Sequence, residues 1–376
     1  MSNPLQRLGE VGQAVWLDFI DRKILATGGL KKLIAEDGLK GVTSNPSIFE
    51  KAIGEGSDYD DRLRAFLAQG KVEAAEVYER LAIADIQDAA DQLRPVHDAM
   101  NGADGFVSLE VSPYLALDTR ATVTEARRLW NAVDRPNLMV KVPGTEAGVA
   151  AIRTLVGEGI NVNVTLLFAL EAYLAVAEAH IAGLEAFKAG GGDAGKVAGV
   201  ASFFVSRIDA QIDRKIDQRV AAGGRDAERL QALRGKVAVA NAKMAYREYL
   251  RLIETPRWKV LATAGARPQR LLWASTGTKD PAYSDVLYVE SLIGPDTVNT
   301  MPPKTMDAFR DHGRVALTLT QDVPEAERVL AEAERLGLDL PGVTRDLVTD
   351  GVKLFSDSAD KLLDAVRAKL GRRSAG

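Results

Sequence analysis

The sequence predicts an α/β protein, a (β/α)8 TIM barrel carrying additional helices. Three observations carry this expectation. Eight short runs rich in Val, Ile, Leu and Phe recur along the chain, and segments with helical periodicity separate them. Near-continuous apolar strands alternating with helices indicate a parallel sheet covered by helices. Polar side chains also interrupt the runs towards their C-terminal halves, the end at which barrels of this kind gather their sites. Eight units in 376 residues suit a closed barrel, with a doubly wound open sheet as the alternative.

The expected strands are AVWLDFI (14–20), GVTSN (41–45), GFVSLEV (105–111), NLMVKV (137–142), INVNVTL (160–166), AGVASFFV (198–205), RLLWAS (270–275) and DTVNTM (296–301). Amphipathic helices such as TVTEARRLWNAV (122–133) and ALEAYLAVAEAHIAGLEAF (169–187) fall between them. Residues 46–104 and 206–266 exceed a minimal barrel and read as helical insertions into a single domain spanning 1–376. The 206–266 segment either covers the mouth of the barrel or makes a subunit contact. A C-terminal helix at about 350–370 would place Val352, Phe355, Ala359, Leu362, Leu363 and Val366 on one face, packed against the barrel. AGGGDAG (189–195) is glycine-rich but lacks the order of a phosphate loop and reads as a turn.

Composition removes several function classes. Net charge is −4 with both signs interspersed, so nucleic acid is not an expected partner. The chain has no cysteine, which excludes disulfides, thiolate metal sites and a cysteine nucleophile. His97, His180 and His312 are its three histidines, widely separated and without HExxH spacing, so a histidine-rich metal site is not expected. The opening MSNPLQRLGE has no apolar signal core, and no run approaches membrane-spanning length. The expectation is a cytoplasmic protein with no membrane partner, and an oligomer is compatible with it.

The polar residues inside the strands are the informative ones. Lys141 stands in LMVKVPGTEAG; alternation puts it on one face with Met139 and Pro143 while Val140 and Val142 face the helices. It therefore points into the barrel. Asp18 interrupts VWLDFI and Glu110 interrupts FVSLEV. Thr43 and Asn45 share a face, as do Asn161, Asn163 and Thr165, and again Ser202, Phe204 and Ser206. Buried ionisable groups gathered at one end mark a site. Desolvation disfavours the charged form of a lysine and leaves an amine able to attack a carbonyl. Amides and hydroxyls can orient a polyol, and carboxylates can move protons. This set suggests Schiff-base chemistry on a sugar. On the residues alone, Lys141 could instead be a buried ion-pair partner of Glu110 or Asp18.

These motifs resemble a known family. GVTSNPSIFEKAI resembles the first transaldolase signature, and LMVKVPGTEAG resembles the segment around that family's Schiff-base lysine. INVNVTLLF is similar to the family's next strand, and ASFFVSRID to its phosphate-binding segment. The likeness runs from about residue 10 to the C-terminus, nearest to the longer transaldolase subfamily with extra helices. It implies a barrel related to class I aldolases, working without cofactor or metal. The implied reaction moves a dihydroxyacetone unit from sedoheptulose 7-phosphate or fructose 6-phosphate to glyceraldehyde 3-phosphate or erythrose 4-phosphate.

By that resemblance Lys141 forms the imine, Asp18 exchanges the C4 hydroxyl proton, and Glu110 with Thr165 holds a proton-shuttling water. Asn45 and Asn163 hold the dihydroxyacetone hydroxyls, with Thr43 nearby, and Ser202, Phe204 and Arg207 form the phosphate segment. Shorter members carry a second phosphate-binding arginine after the seventh strand. Here WASTGTKDPAYSD offers Ser275 and Lys279 instead. The rival expectations are a fructose 6-phosphate aldolase, whose members are shorter and carry glutamine at the position of Glu110, and an inactive sugar-phosphate-binding barrel.

Overall fold

The computed structural model describes residues 3–68 and 73–374, so positions 69–72 of the first insertion and the extreme ends of the 1–376 span lie outside the described residues. Eight parallel strands close into a barrel in sequence order. They are β1 (Gln13–Leu17), β2 (Gly41–Val42), β3 (Phe106–Glu110), β4 (Leu138–Pro143), β5 (Val162–Leu167), β6 (Gly199–Phe204), β7 (Arg270–Ala274) and β8 (Thr297–Met301). β1 pairs with both β2 and β8, which closes the ring and excludes the open sheet. Every expected run overlaps an observed strand, because Val-, Ile- and Leu-rich segments buried on both faces suit the middle layer of this architecture.

Two runs end three residues earlier than expected. β1 stops at Leu17 and β2 at Val42, so Asp18, Thr43 and Asn45 follow their strands rather than lying in them. Backbone bonds from Asp18 to Met301 and from Thr43 to Leu17, 2.8 and 2.9 Å, still hold the chain to the rim. At the opposite end, Asp104 accepts from the Trp16 indole at 2.8 Å and pairs with Arg270 at 2.9 Å. Gly41 faces Trp16 across the β1–β2 pair, and a Cβ there would sit 2.4 Å from the indole ring. Glycine is therefore the residue that leaves room for the large ring.

The first insertion forms helices Pro46–Glu55, Asp60–Ala68 and Ala74–Ala99. The second forms Ser206–Ala221, Ala227–Gln231, Val237–Ile253 and Pro256–Thr263. Of these, Val237–Ile253 packs against Val323–Arg335 and Leu170–Ala189, in the outer helical layer. The mouth is instead crossed by the C-terminal helix, Leu340–Ser374, which lies along Pro46–Glu55. This helix begins ten residues before the expected start. Asp339 accepts from the Gly342 amide at 3.0 Å, and Pro341 falls in the first turn, where a missing N–H costs nothing. Phe355, Leu362 and Val366 are buried and Val352, Ala359 and Leu363 half-buried, as the periodicity requires. Among the described residues no helix is long and apolar enough to cross a membrane.

His180 lies fully buried on helix Leu170–Ala189 against the start of β6, where a Cβ on Gly199 would come within 2.6 Å of the ring. Burial lowers its pKa to about 4. A depressed histidine pKa means the unfolded chain binds the proton first, so stability falls as pH drops from 6.5 towards 4, by about 3 kcal/mol. Thermal midpoints measured across that window should decline less steeply in His180→Leu than in the wild type. Equal slopes would remove His180 from the acid response.

Candidate active site

Lys141 projects from β4 beside Glu110 of β3 and Asn163 of β5, its register partners. Its Nζ donates to the Ser44 carbonyl at 3.1 Å and lies 3.4 Å from Glu110 Oε2. Both side chains are almost wholly buried, 6% and 3% exposed. Burial raises the Glu110 pKa, and Lys141 only partly offsets this. Among the described residues neither Glu110 oxygen accepts a hydrogen bond, and the Thr165 hydroxyl has no hydrogen-bond partner either. Phe355 of the C-terminal helix places its ring 5.9 Å from Nζ. The ion-pair alternative for Lys141 is therefore real geometry, and it shares the geometry of a reactive amine with a carboxyl beside it.

Below the lysine the amides are tied together. Asn163 donates to Ser108 Oγ at 2.9 Å and accepts from Ser202 Oγ at 2.7 Å, all three buried. On the facing wall Thr43 donates to Asp18 at 2.7 Å and lies 2.7 Å from the Thr300 hydroxyl. Burial is the main influence on Asp18 and raises its pKa, against the lowering effects of Lys141, the Thr43 bond, Arg207 and Lys279.

These groups open into one cavity of about 570 Å³ at the C-terminal end of the barrel. Asp18, Thr43, Asn45, Lys141, Thr165, Ser202, Phe204, Arg207, Ser275 and Lys279 all line it. Glu110 stands behind Lys141, and Asn163 supports Ser202 from beneath. Asn45 is also the N-cap of Pro46–Glu55, where its Oδ1 accepts from the Ile48 amide at 3.0 Å. Asn161, in the same strand row as Asn163, belongs to the other end. It donates to the Pro136 and Leu138 carbonyls and accepts from the Ala198 amide, locking strand starts together. Ser206 pairs with Ser275 at 3.0 Å.

The mouth carries positive charge. Arg207 stacks 5.3 Å from the Phe204 ring centroid. Burial lowers the Lys279 pKa, as do the neighbouring charges of Arg207 and Lys51. Lys51 and Lys304 line the cavity too, and sequence reasoning missed both, along with Thr300, Leu354 and Phe355. Lys51 follows the SNPS cap by one helical turn, the one signal that could have placed it. A concave, partly polar chamber with a buried amine, two carboxyls of raised pKa and cations at the rim suits covalent handling of an anionic carbonyl compound.

Comparison with known proteins agrees. Residues 15–366 match the model of the family described as Transaldolase/Fructose-6-phosphate aldolase. The chain belongs to that family. It is 50% identical over 372 residues to "Transaldolase" of Parafrankia sp. (strain EAN1pec), covering 99% of each chain. It is 46% identical over 373 residues to "Transaldolase 2" of Nostoc sp. (strain PCC 7120 / SAG 25.82 / UTEX 2576), covering 98% of each. With "Transaldolase" of Thermobifida fusca (strain YX) it is 48% identical over 371 residues, 98% of this chain and 99% of the relative. Membership in this family makes sugar phosphates the substrate class of the cavity.

Proposed function

We infer that the protein is a transaldolase, moving a dihydroxyacetone unit between sugar phosphates through an imine on Lys141. The observation that carries this is the Lys141–Glu110 pair, buried at 3.4 Å in a cavity rimmed by cations. The Lys141 nitrogen attacks the donor C2 carbonyl. Glu110 and Thr165, whose side-chain oxygens make no hydrogen bond among the described residues, hold the water that carries protons as the C2 oxygen departs. Asp18 takes the C4 hydroxyl proton as the C3–C4 bond breaks, and the aldose phosphate leaves. The three-carbon enamine stays on Lys141 until a second aldose phosphate arrives and the same steps run backwards. Asn45, Asn163 and Thr43 orient the three-carbon unit.

Arg207 holds phosphate with its planar fork, flanked by Phe204, Ser275 and Lys279. Ser202 directs its hydroxyl proton to Asn163 and so fixes the amide that faces the sugar. The donors are sedoheptulose 7-phosphate and fructose 6-phosphate, the acceptors glyceraldehyde 3-phosphate and erythrose 4-phosphate, in the cytoplasmic non-oxidative pentose phosphate pathway. Glu110 and relatives named transaldolase over the full length favour transfer over release of free dihydroxyacetone.

Borohydride reduction with fructose 6-phosphate, followed by peptide mass spectrometry, should leave a dihydroxyacetone-sized adduct on Lys141. Steady release of dihydroxyacetone without an acceptor would identify an aldolase. No adduct on folded protein would make Lys141 a structural ion-pair partner in a sugar-phosphate-binding barrel.

Lys279→Ala should raise KM for both phosphorylated substrates by about tenfold, the loss of one charge-assisted contact. Unchanged KM values would leave the phosphate to Arg207.

The Asp18 carboxylate acts as the base, so activity is lost as pH falls through its pKa. Thr43→Val removes a hydrogen bond that lowers that pKa, which moves the acid limb of the kcat profile to higher pH. A limb that stays in place would assign the titration to another group.

A further inference from the structure

Residues 275–286, between β7 and the short helix Leu287–Glu290, form neither helix nor strand, and Lys279 lies near their middle. Among the described residues the Lys279 ammonium makes no ion pair or hydrogen bond, so its place at the rim is set by the loop that carries it. The loop closes on itself where Thr278 donates to the Ser284 carbonyl at 2.8 Å. Two side chains then tie the closed loop to the second insertion. Tyr283 donates its hydroxyl to Asp213 Oδ2 at 2.8 Å. Arg234 donates to Asp280, the neighbour of Lys279, at 2.9 Å and pairs through Nε with Asp217 at 3.1 Å. The same guanidinium lies 5.8 Å from the Tyr283 ring centroid. Gly235, at a φ of 68°, packs against that ring, and a Cβ there would stand 2.9 Å from it. Its amide donates to the other Asp213 oxygen at 3.1 Å.

We propose that Tyr283, with Asp213 and the Arg234–Asp280 pair, is a latch that positions Lys279 beside Arg207 at the phosphate end of the cavity. The proposal rests on the reading of Lys279 as a phosphate-binding cation. Asp213 and Asp217 stand one turn apart on Ser206–Ala221, the helix whose first turn carries Arg207. That helix therefore places Arg207 directly and Lys279 through the latch, so the two cations keep a common reference. An arginine brings a planar fork that orients itself on phosphate, whereas a lysine is a point charge on a flexible stem. Where a lysine serves, its backbone has to supply the placement, and a loop ordered in advance leaves less freedom to lose when the sugar phosphate binds. The turn around Arg234 and Gly235, between Ala227–Gln231 and Val237–Ile253, thus gives the second insertion a part in the site although none of its own side chains reaches the sugar cavity beyond Arg207.

A double-mutant cycle tests the latch. Tyr283→Phe removes the hydroxyl and keeps the ring against Gly235 and Arg234; it should raise KM for fructose 6-phosphate and erythrose 4-phosphate about threefold, with kcat within about twofold of wild type. In a Lys279→Ala background the same change should leave KM where Lys279→Ala alone put it, because the cation it places is gone. Borohydride trapping of dihydroxyacetone, which carries no phosphate, should give the wild-type fraction of adduct in Tyr283→Phe. Asp280→Asn is a second variant that keeps an acceptor for the Ala282 amide and removes the charge that Arg234 holds. Deleting a negative charge beside Lys279 would by itself tighten phosphate binding, so a raised KM in Asp280→Asn carries the sign that only lost placement explains. Wild-type KM values in folded Tyr283→Phe, or an equal rise in both backgrounds, would overturn the latch and leave Lys279 as the phosphate ligand. A lowered dihydroxyacetone adduct would make these contacts a prop of the whole site and overturn it too. Unchanged KM values in Lys279→Ala alone would instead overturn the phosphate reading of Lys279, and the latch with it.

Discussion

An amine and a carboxyl held side by side out of water, on neighbouring strands of a closed ring, set the conditions for the whole upper half of this barrel. Lys141 and Glu110 are register partners, so the β3–β4 ladder fixes their separation before any side chain adjusts. Burying such a pair is costly unless the remaining polar valences are met. The backbone meets one through the Ser44 carbonyl, while Asn163, Ser108 and Ser202 form a satisfied chain beneath. On the facing wall Asp18, Thr43 and Thr300 form a second network joining the ends of β1, β2 and β8. The two networks face each other across the sugar cavity, coupled by the charges of Lys141 and Asp18. In the proposed reaction one wall makes and breaks the imine, and the other handles the proton of the bond being cut.

Much of this was legible in the sequence because barrel strands are apolar throughout, and any charged residue inside one is conspicuous. Lys141, Glu110 and Asp18 announced themselves that way, and Thr165 as a polar residue in the same kind of run. Alternation also assigned Lys141 to the inner face correctly. It could not separate Asn161 from Asn163, which share a row yet serve opposite ends of the barrel, one locking strand starts and the other holding Ser108 and Ser202 beneath the site. Strand ends were overrun at Asp18 and at Thr43–Asn45, since residues that cap the rim keep an extended backbone and look like strand. SNP before a helical run is an N-cap followed by proline in the first turn, a signal present in the sequence and outweighed by the strand pattern. Lys51, Lys304 and Phe355 reach the cavity from three helices far apart in the chain. No local period carries that information; only closure of the ring and docking of the C-terminal helix bring them together.

That docking bears on how the site would keep bulk water from the enamine of the proposed reaction. Beyond Thr165 the β5 backbone bulges: its pairing with β6 shifts register between Val164 and Leu167, and Leu166 adopts a left-handed φ of 60°. Ser275, just past β7, does the same at 55°. Such conformations cost about 1–3 kcal/mol each in residues with a Cβ and persist where surrounding packing imposes them. Leu166 is wholly buried, and a Cβ on Gly351 of the C-terminal helix would approach its side chain to 2.7 Å. The glycine therefore lets the helix settle directly onto the bulge that follows Thr165. One turn further on, the same helix sets Phe355 over Lys141. The strained strand end, the missing Cβ and the aromatic ring thus act as one device. The bulge locates the helix, the helix locates the ring, and the ring covers the amine on the side from which bulk water would otherwise approach.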